Sequence, residues 1–323
     1  MFNFFKISLN TFKEAVREPV FFLMLLAAQL IIAHTPSVAL YVFSEQMKLV
    51  VDSSMATALM FGLVIAVLTT SHTVTREMQN GTVLLLLSKP VYRWSFILGK
   101  IAGICVAVGL FSVLCNCSSV VAVYIAADQY NMDLTLYLGL LGALAVACII
   151  GMAANFWRGS AFPEIATYAA TLLLPLVLIL TIAFEDCPIK NLPHLFKALV
   201  MVDFSVIAMA AIAVVFATRL NVVANLCVCT VIFFLGLISG YVFQGSFYRN
   251  LDGGPIKMLF DGLYAIIPNW QYFWLADAVA VARPIPTSYL IYGAVYLCFY
   301  IAICAMWAVA LFQNREVAGD NRM

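Results

Sequence analysis

Eight stretches of this chain are long and apolar enough to cross a lipid bilayer, and no other feature restricts its fold so severely. A spanning helix needs about 20 mostly apolar residues; residues 19–43, 55–74, 96–126, 134–154, 165–184, 198–218, 222–243 and 289–312 meet or approach that length. Hydrocarbon offers no partner for a backbone N–H or C=O, so such runs must become helices. The expected fold class is all-α, a polytopic transmembrane bundle of about 6 to 8 spans with eight favoured. Composition leads the same way, because only 10% of residues are charged and 64% are apolar, where a soluble domain carries roughly 25% charge. A net charge of +1 leaves no electrostatic footprint for nucleic acid.

Eight of the nine cysteines (Cys105, Cys115, Cys117, Cys148, Cys227, Cys229, Cys298 and Cys304) lie inside apolar runs, and only Cys187 sits in a polar connection. A buried thiol behaves as a small hydrophobe. The Cys115-x-Cys117 and Cys227-x-Cys229 pairs suggest metal ligands, but residues two apart on a helix point about 200° apart and cannot share one ion. No metal site is expected. The N-terminus lacks a short apolar core followed by a small-residue cleavage site, so the first apolar run is read as a retained span.

Lys and Arg set orientation, being enriched in cytoplasmic connections. If both termini share one side, that side holds Lys6, Lys13, Arg17, Arg76, Lys89, Arg93, Lys100, Arg158, Arg219, Arg315 and Arg322, which is eleven of the 17 basic residues. The other side holds Lys48, Lys190, Lys197, Arg249, Lys257 and Arg283, diluted by acids such as Asp52, Asp128 and Asp277. Both termini are therefore expected to be cytoplasmic.

Three segments are neither spans nor simple turns. In residues 1–18, Phe5, Leu9, Phe12 and Val16 recur at helical spacing while Lys6, Lys13 and Arg17 take other faces. That pattern describes an amphipathic helix lying in the membrane interface, ahead of a single transmembrane domain over 19–323. Residues 244–288 form a long outer connection in which Ile256, Leu259, Leu263 and Ile267 make an apolar stripe. Trp270, Tyr272, Phe273 and Trp274 follow, and such aromatics favour the headgroup layer, so short interfacial or re-entrant helices capping the outer mouth are expected. The third segment, residues 75–100, contains an apolar run, Val83 to Leu87, far too short to span. Gly81 permits a sharp turn, Thr82 can cap the next helix, and Pro90 ends it. Flanked by Arg76, Glu77, Lys89 and Arg93, this short apolar rod must be covered by the rest of the chain or by a partner.

Glu77…Gly81-Thr82…Ser88-Lys89-Pro90-Val91…Arg93…Gly99-Lys100 resembles the signature loop of ABC type-2 permeases, the membrane subunits of bacterial ATP-binding cassette transporters. The likeness is greatest to the group labelled multi-copper enzyme maturation permeases. Thr11-Phe12-Lys13-Glu14-Ala15…Arg17 resembles that group's opening helix, and Ala217-Thr218-Arg219-Leu220…Val223-Ala224-Asn225 its inward-facing turn. Pro268-Asn269…Phe273…Asp277-Ala278 and Phe312…Arg315-Glu316 are similar to its last outer loop and tail.

The resemblance implies a coupling helix seated in a groove of an ATPase subunit, with Leu84, Leu85, Leu86 and Leu87 as the anchor and Arg76, Glu77, Lys89 and Arg93 at the rim. It also implies two permease chains, identical or paralogous, with two ATPases in a cell inner (plasma) membrane. The chain has no Gly-x-x-x-x-Gly-Lys-Ser/Thr motif; Gly99-Lys100 is followed by Ile101 and cannot cradle phosphates. The expectation is a non-enzymatic permease with no cofactor of its own, ATP and Mg²⁺ being held by the partner. Weakly polar, wall-like spans suit a lipid-like or hydrophobic cargo, or extrusion of a larger polymer, and export is the expected direction.

Ionisable groups inside spans mark pathways by default. The candidates are Gln29, His34, Glu164 and Asp203. His34-Thr35-Pro36 is read first as a kink, Glu164 as a first-turn acid at a helix N-terminus, and Asp203 as lying near the outer end of its span, in reach of water. So few polar groups count against an ion-coupled carrier, which needs several buried carboxylates and paired broken helices. That carrier and a non-transporting membrane scaffold are the competing readings.

Overall fold

The structure, a computed structural model, describes residues 2–42, 45–75, 93–128, 131–185, 192–244, 257–258, 261–262, 267–281 and 283–313. The helices are α1 (Phe2–Arg17), α2 (Pro19–Ala39), α3 (Gln46–Thr70), α4 (Arg93–Ile125), α5 (Leu134–Arg158), α6 (Phe162–Phe184), α7 (Leu192–Ala217), α8 (Val222–Gln244), the short α9 (Ala276–Ala280) and α10 (Thr287–Gln313). A π-helical turn, Ser71–Thr75, extends α3, and a 3₁₀ turn, Trp270–Phe273, precedes α9. Among the described residues there is no strand, and eight helices, α2 to α8 and α10, are long and apolar enough to cross a membrane. The all-helical, eight-span expectation is met.

Local chemistry explains where these helices begin and end. Asp133 caps α5 by accepting from the N–H groups of Thr135 and Leu136, satisfying donors that a helix start leaves orphaned. Gly159, at φ 64°, closes the same helix, a conformation that costs glycine nothing. Pro19 stands in the first turn of α2 and Pro163 in that of α6, where no amide donor is required. Pro36 lies inside α2 and leaves the Ile32 carbonyl without its helical donor; the Thr35 hydroxyl supplies one at 2.8 Å.

Two helix starts differ from the sequence expectation by more than three residues. α3 begins at Gln46 rather than 55, and α7 at Leu192 rather than 198. Polar side chains hid both starts from an apolar-run criterion. In α7 they have partners: His194 Nδ1 accepts from the Ile285 amide at 3.2 Å, and Lys197 Nζ donates to the Ile285 carbonyl and the Thr287 hydroxyl. Residues 93–100 of the expected 75–100 loop are already the first turns of α4.

α7 is the buried centre, with Ala208, Ala210, Ala211 and Ala213 fully enclosed. Lipid tails are as apolar as leucine, so span association relies on close approach of small residues. A Cβ on Gly62 of α3 would sit 2.7 Å from Val206, and one on Gly293 of α10 would sit 2.8 Å from Met201. α4 runs beside α7 and touches α1, α2, α3, α6 and α10. The α5–α6 hairpin packs chiefly on itself through Gly151 against Ala166 and Phe162, and meets α2 where the Phe22 and Phe162 rings stand edge to face at 5.3 Å. Leu172, Phe299 and Trp307 point outward, as lipid-facing residues do.

Candidate functional site

With eight crossings, the start of α2 and the end of α10 fall at one end of the bundle, here called the α1 end. Two observations agree: the Arg219 guanidinium in the α7–α8 turn donates to the Leu311 carbonyl at 2.7 Å, and Phe96 stacks on Phe312. α1 lies across this end against α4. The stripe expected at the membrane interface divides: Val16 is buried and Phe12 half-buried, whereas Phe5 and Leu9 are 75% and 48% exposed. A second face, through Ile7 and Thr11, meets α4, and Ala15 beside it is buried.

That contact depends on Gly99-x-x-x-Gly103. A Cβ on Gly99 would lie 2.8 Å from Ile7, and one on Gly103 only 2.5 Å from the Ser8 carbonyl and 2.7 Å from Thr11. Ion pairs fix the register: Lys100 Nζ, nearly buried, stands 3.3 Å from Glu14, and Arg17 stands 3.1 Å from Glu164 of α6. Glu164 thus occupies the first-turn position anticipated for it and has a specific partner.

Residues 76–92 connect the π turn to Arg93, the first residue of α4. Arg76, Glu77, Gly81, Thr82, Leu84, Leu85, Leu86, Leu87, Lys89 and Pro90 lie outside the described residues. Both roots of the segment are described. The π turn packs on α1, α7 and α8, and Asn225 of α8 donates to the Ser71 hydroxyl oxygen at 2.9 Å and to the Ala213 carbonyl at 3.3 Å. The other root is the part of α4 that seats α1.

Polar residues inside the bundle join helix to helix. Gln29 of α2 is fully buried, accepts from the Ser118 hydroxyl of α4 and donates to Cys115 Sγ at 3.8 Å. Asp203 of α7 accepts from the Ser112 hydroxyl and, at 2.8 and 2.9 Å, from the Asn116 amide. At 8% exposure it does not reach water as the sequence suggested; because α7 starts earlier than its apolar run, the acid lies well inside the helix. His34 faces outward on α2, with its Nδ1 3.4 Å from the Tyr137 hydroxyl of α5.

At the far end, residues 267–287 lie over α3, α7 and α8, with residue 282 outside the described set. A second small-residue pair, Gly236-x-x-x-Gly240, receives them: a Cβ on Gly236 would run into the Pro268 carbonyl and the Trp270 indole, and one on Gly240 would sit 2.5 Å from Gln271. Gln271 also donates to the Leu237 carbonyl. Trp270 and Phe273 are fully buried plugs rather than members of an interfacial belt. Tyr272 stacks on Tyr289 at 4.7 Å and accepts its hydroxyl proton through the backbone carbonyl. Ile267 is described, and the other stripe residues, Ile256, Leu259 and Leu263, lie outside the described residues.

Sequence reasoning missed both glycine pairs, although small-xxx-small spacing is a readable sign of close helix approach. It also gave no role to Ser71, Ser112, Asn116 or Ser118. In comparison with known families, residues 6–317 match the family described as ABC-2 family transporter protein. No curated protein matches the chain.

Proposed function

The chain belongs to the ABC-2 family of transporter proteins, and on that premise we propose that it is the permease subunit through which a separate ATPase drives export across a cell inner (plasma) membrane. The observation that carries this reading is the anchoring of both roots of the 76–92 segment. One root is the π turn, packed on α1, α7 and α8, and the other is the start of α4 with α1 bolted across it. A segment tied in this way to α1, α3, α4 and α8 can pass an applied force into the bundle.

In the proposed arrangement, Leu84, Leu85, Leu86 and Leu87 fill a groove of the ATPase, and Arg76, Glu77, Lys89 and Arg93 form the charged rim. Gly81, Thr82 and Pro90 shape the connection. ATP and Mg²⁺ are held by the partner, two permease chains join two ATPases, and both termini face the cytoplasm. Phe5 and Leu9, exposed beside Lys13 and Arg17, dip into the headgroup layer. A lipid-like or hydrophobic cargo suits walls as weakly polar as these.

The test is co-purification. Truncating a buried interface anchor typically costs about 2 kcal/mol or more, so a Leu85→Asp, Leu86→Asp double variant is expected to lose its ATPase on affinity purification. Full stoichiometry in that variant would refute the docking assignment.

A further inference from the structure

We propose that Asn225 is a positioning residue for ATP-driven movement: it pins α8 to the π turn at the root of the 76–92 segment, so that displacement of the segment is delivered to the α7–α8 hairpin. This rests on the permease reading above. Asn225 is fully buried, and its amide is used three ways. Its two N–H groups go to Ser71 Oγ and the Ala213 carbonyl, and its Oδ1 accepts from Cys229 Sγ at 3.4 Å. One side chain therefore joins the π turn, α7 and α8.

The π turn is a fitting place for such a pin. An i→i+5 turn interrupts the regular helical ladder, occurs mostly as a single turn and is frequent at functional sites. Thr70, immediately before it, is fully buried with a hydroxyl that finds no partner among the described residues. Buried polar groups are nearly always paired, so the unmet hydroxyl marks a break in polar pairing directly beside the π turn.

α8 has the freedom to respond. An apolar cleft of about 200 Å³ separates its middle from α3 and α7, lined by Leu63, Val67, Met209 and Phe233. A smaller one of about 80 Å³ lies on its other side against α7 and α10, lined by Val215, Ile232 and Cys304. The helix is fastened near its ends, by Asn225 at one and by Gly236 and Gly240 at the other. Fastened ends with space beside the middle make a lever that follows whichever end is pulled. Arg219, bonded to the Leu311 carbonyl, carries the end of α10 with it.

The experiment uses the purified permease–ATPase complex in lipid nanodiscs, with nitroxides at lipid-exposed Val231 of α8 and Ile149 of α5 on a background lacking the native cysteines except Cys229, which is buried and bonded to Asn225. Trapping with ATP and vanadate is expected to change this distance by about 2 Å or more in the parent, the scale of a helix shift. Asn225→Leu and Ser71→Ala are each expected to abolish the change, and the double variant to do no more, while ATP turnover and subunit stoichiometry stay at the parent level. Ser71→Ala carries the test if Asn225→Leu fails to fold. A full shift in either variant complex, or none in a parent complex that hydrolyses ATP, overturns the pin alone. A parent chain that captures no ATPase overturns the permease reading, and the pin with it.

Discussion

An ionised or strongly polar side chain inside a span persists only where partners surround it, and the two buried polar junctions on α4 show how differently such partners weigh. Asp203 gathers three hydrogen-bond contacts from Ser112 and Asn116. Replacing it with alanine strands the Ser112 hydroxyl and the Asn116 amide in a packed interior, and unsatisfied buried groups cost about 1–3 kcal/mol. Asp203→Asn keeps the shape and one acceptor. Ser118→Ala removes a single neutral contact and leaves one acceptor, Gln29 Oε1, unmet where Asp203→Ala leaves two side chains without theirs, and interhelical bonds of the neutral kind average about 0.6 kcal/mol. Thermal unfolding of the purified protein is therefore expected to rank Asp203→Ala lowest, Asp203→Asn intermediate and Ser118→Ala nearest the parent. If Asp203→Ala proves as stable as Ser118→Ala, the carboxylate is not what joins α4 to α7.

At the scale of elements, each glycine pair seats a segment that does not itself span: Gly99 and Gly103 hold α1, and Gly236 and Gly240 hold the Trp270 turn. Gly103→Val must push α1 away from α4, because the first atoms in its path are backbone and a β-branched side chain. Overpacking of this kind costs about 1–3 kcal/mol. A zero-length carbodiimide crosslink between Glu14 and Lys100, detected by peptide mass spectrometry, should disappear in Gly103→Val and survive in Gly139→Val, whose added methyls meet open space. At the other end, Trp270→Ala empties a fully buried indole site, a change that typically costs about 3–5 kcal/mol. Retention of parent thermal stability in Trp270→Ala would mean that the turn is a loose flap rather than a plug.

The spans themselves were legible because an apolar run of about 20 residues has no alternative fate. Less legible were the starts of α3 and α7, where Lys48, Asp52, His194 and Lys197 interrupt the apolar pattern although the helix continues through them. The pairings of Gln29 with Ser118, Asp203 with Asn116 and Asn225 with Ser71 were not readable at all. Each joins residues far apart in the chain, 154 positions in the last case, and one sequence carries no signal for which distant helices become neighbours. Trp270 was misjudged for a related reason: its composition suits a headgroup belt, and only the fold shows the glycine notch that takes it in.

Parity of crossings governs the whole molecule, and three exposed positions determine it. Lys13 on α1, Asp128 after α4 and Arg158 at the end of α5 are all exposed. If α2, α3 and α4 each cross, Lys13 and Asp128 lie on opposite sides; if α5 crosses as well, Arg158 returns to the side of Lys13. In the proposed orientation, which follows the bias of Lys and Arg, the Lys13 side faces the cytoplasm, where an ATP-hydrolysing partner would have its substrate. Single variants Lys13→Cys, Asp128→Cys and Arg158→Cys, made in a cysteine-free chain, are to be labelled with a membrane-impermeant maleimide on intact cells. Asp128→Cys is expected to react at once, and the other two only after permeabilisation. Labelling of Arg158→Cys in intact cells would mean that the α5–α6 hairpin does not cross, leaving six spans. Labelling of Lys13→Cys would turn α1, the π turn and the 76–92 segment away from cytoplasmic ATP. No docked ATPase could then drive this bundle, however well its helices are tied together.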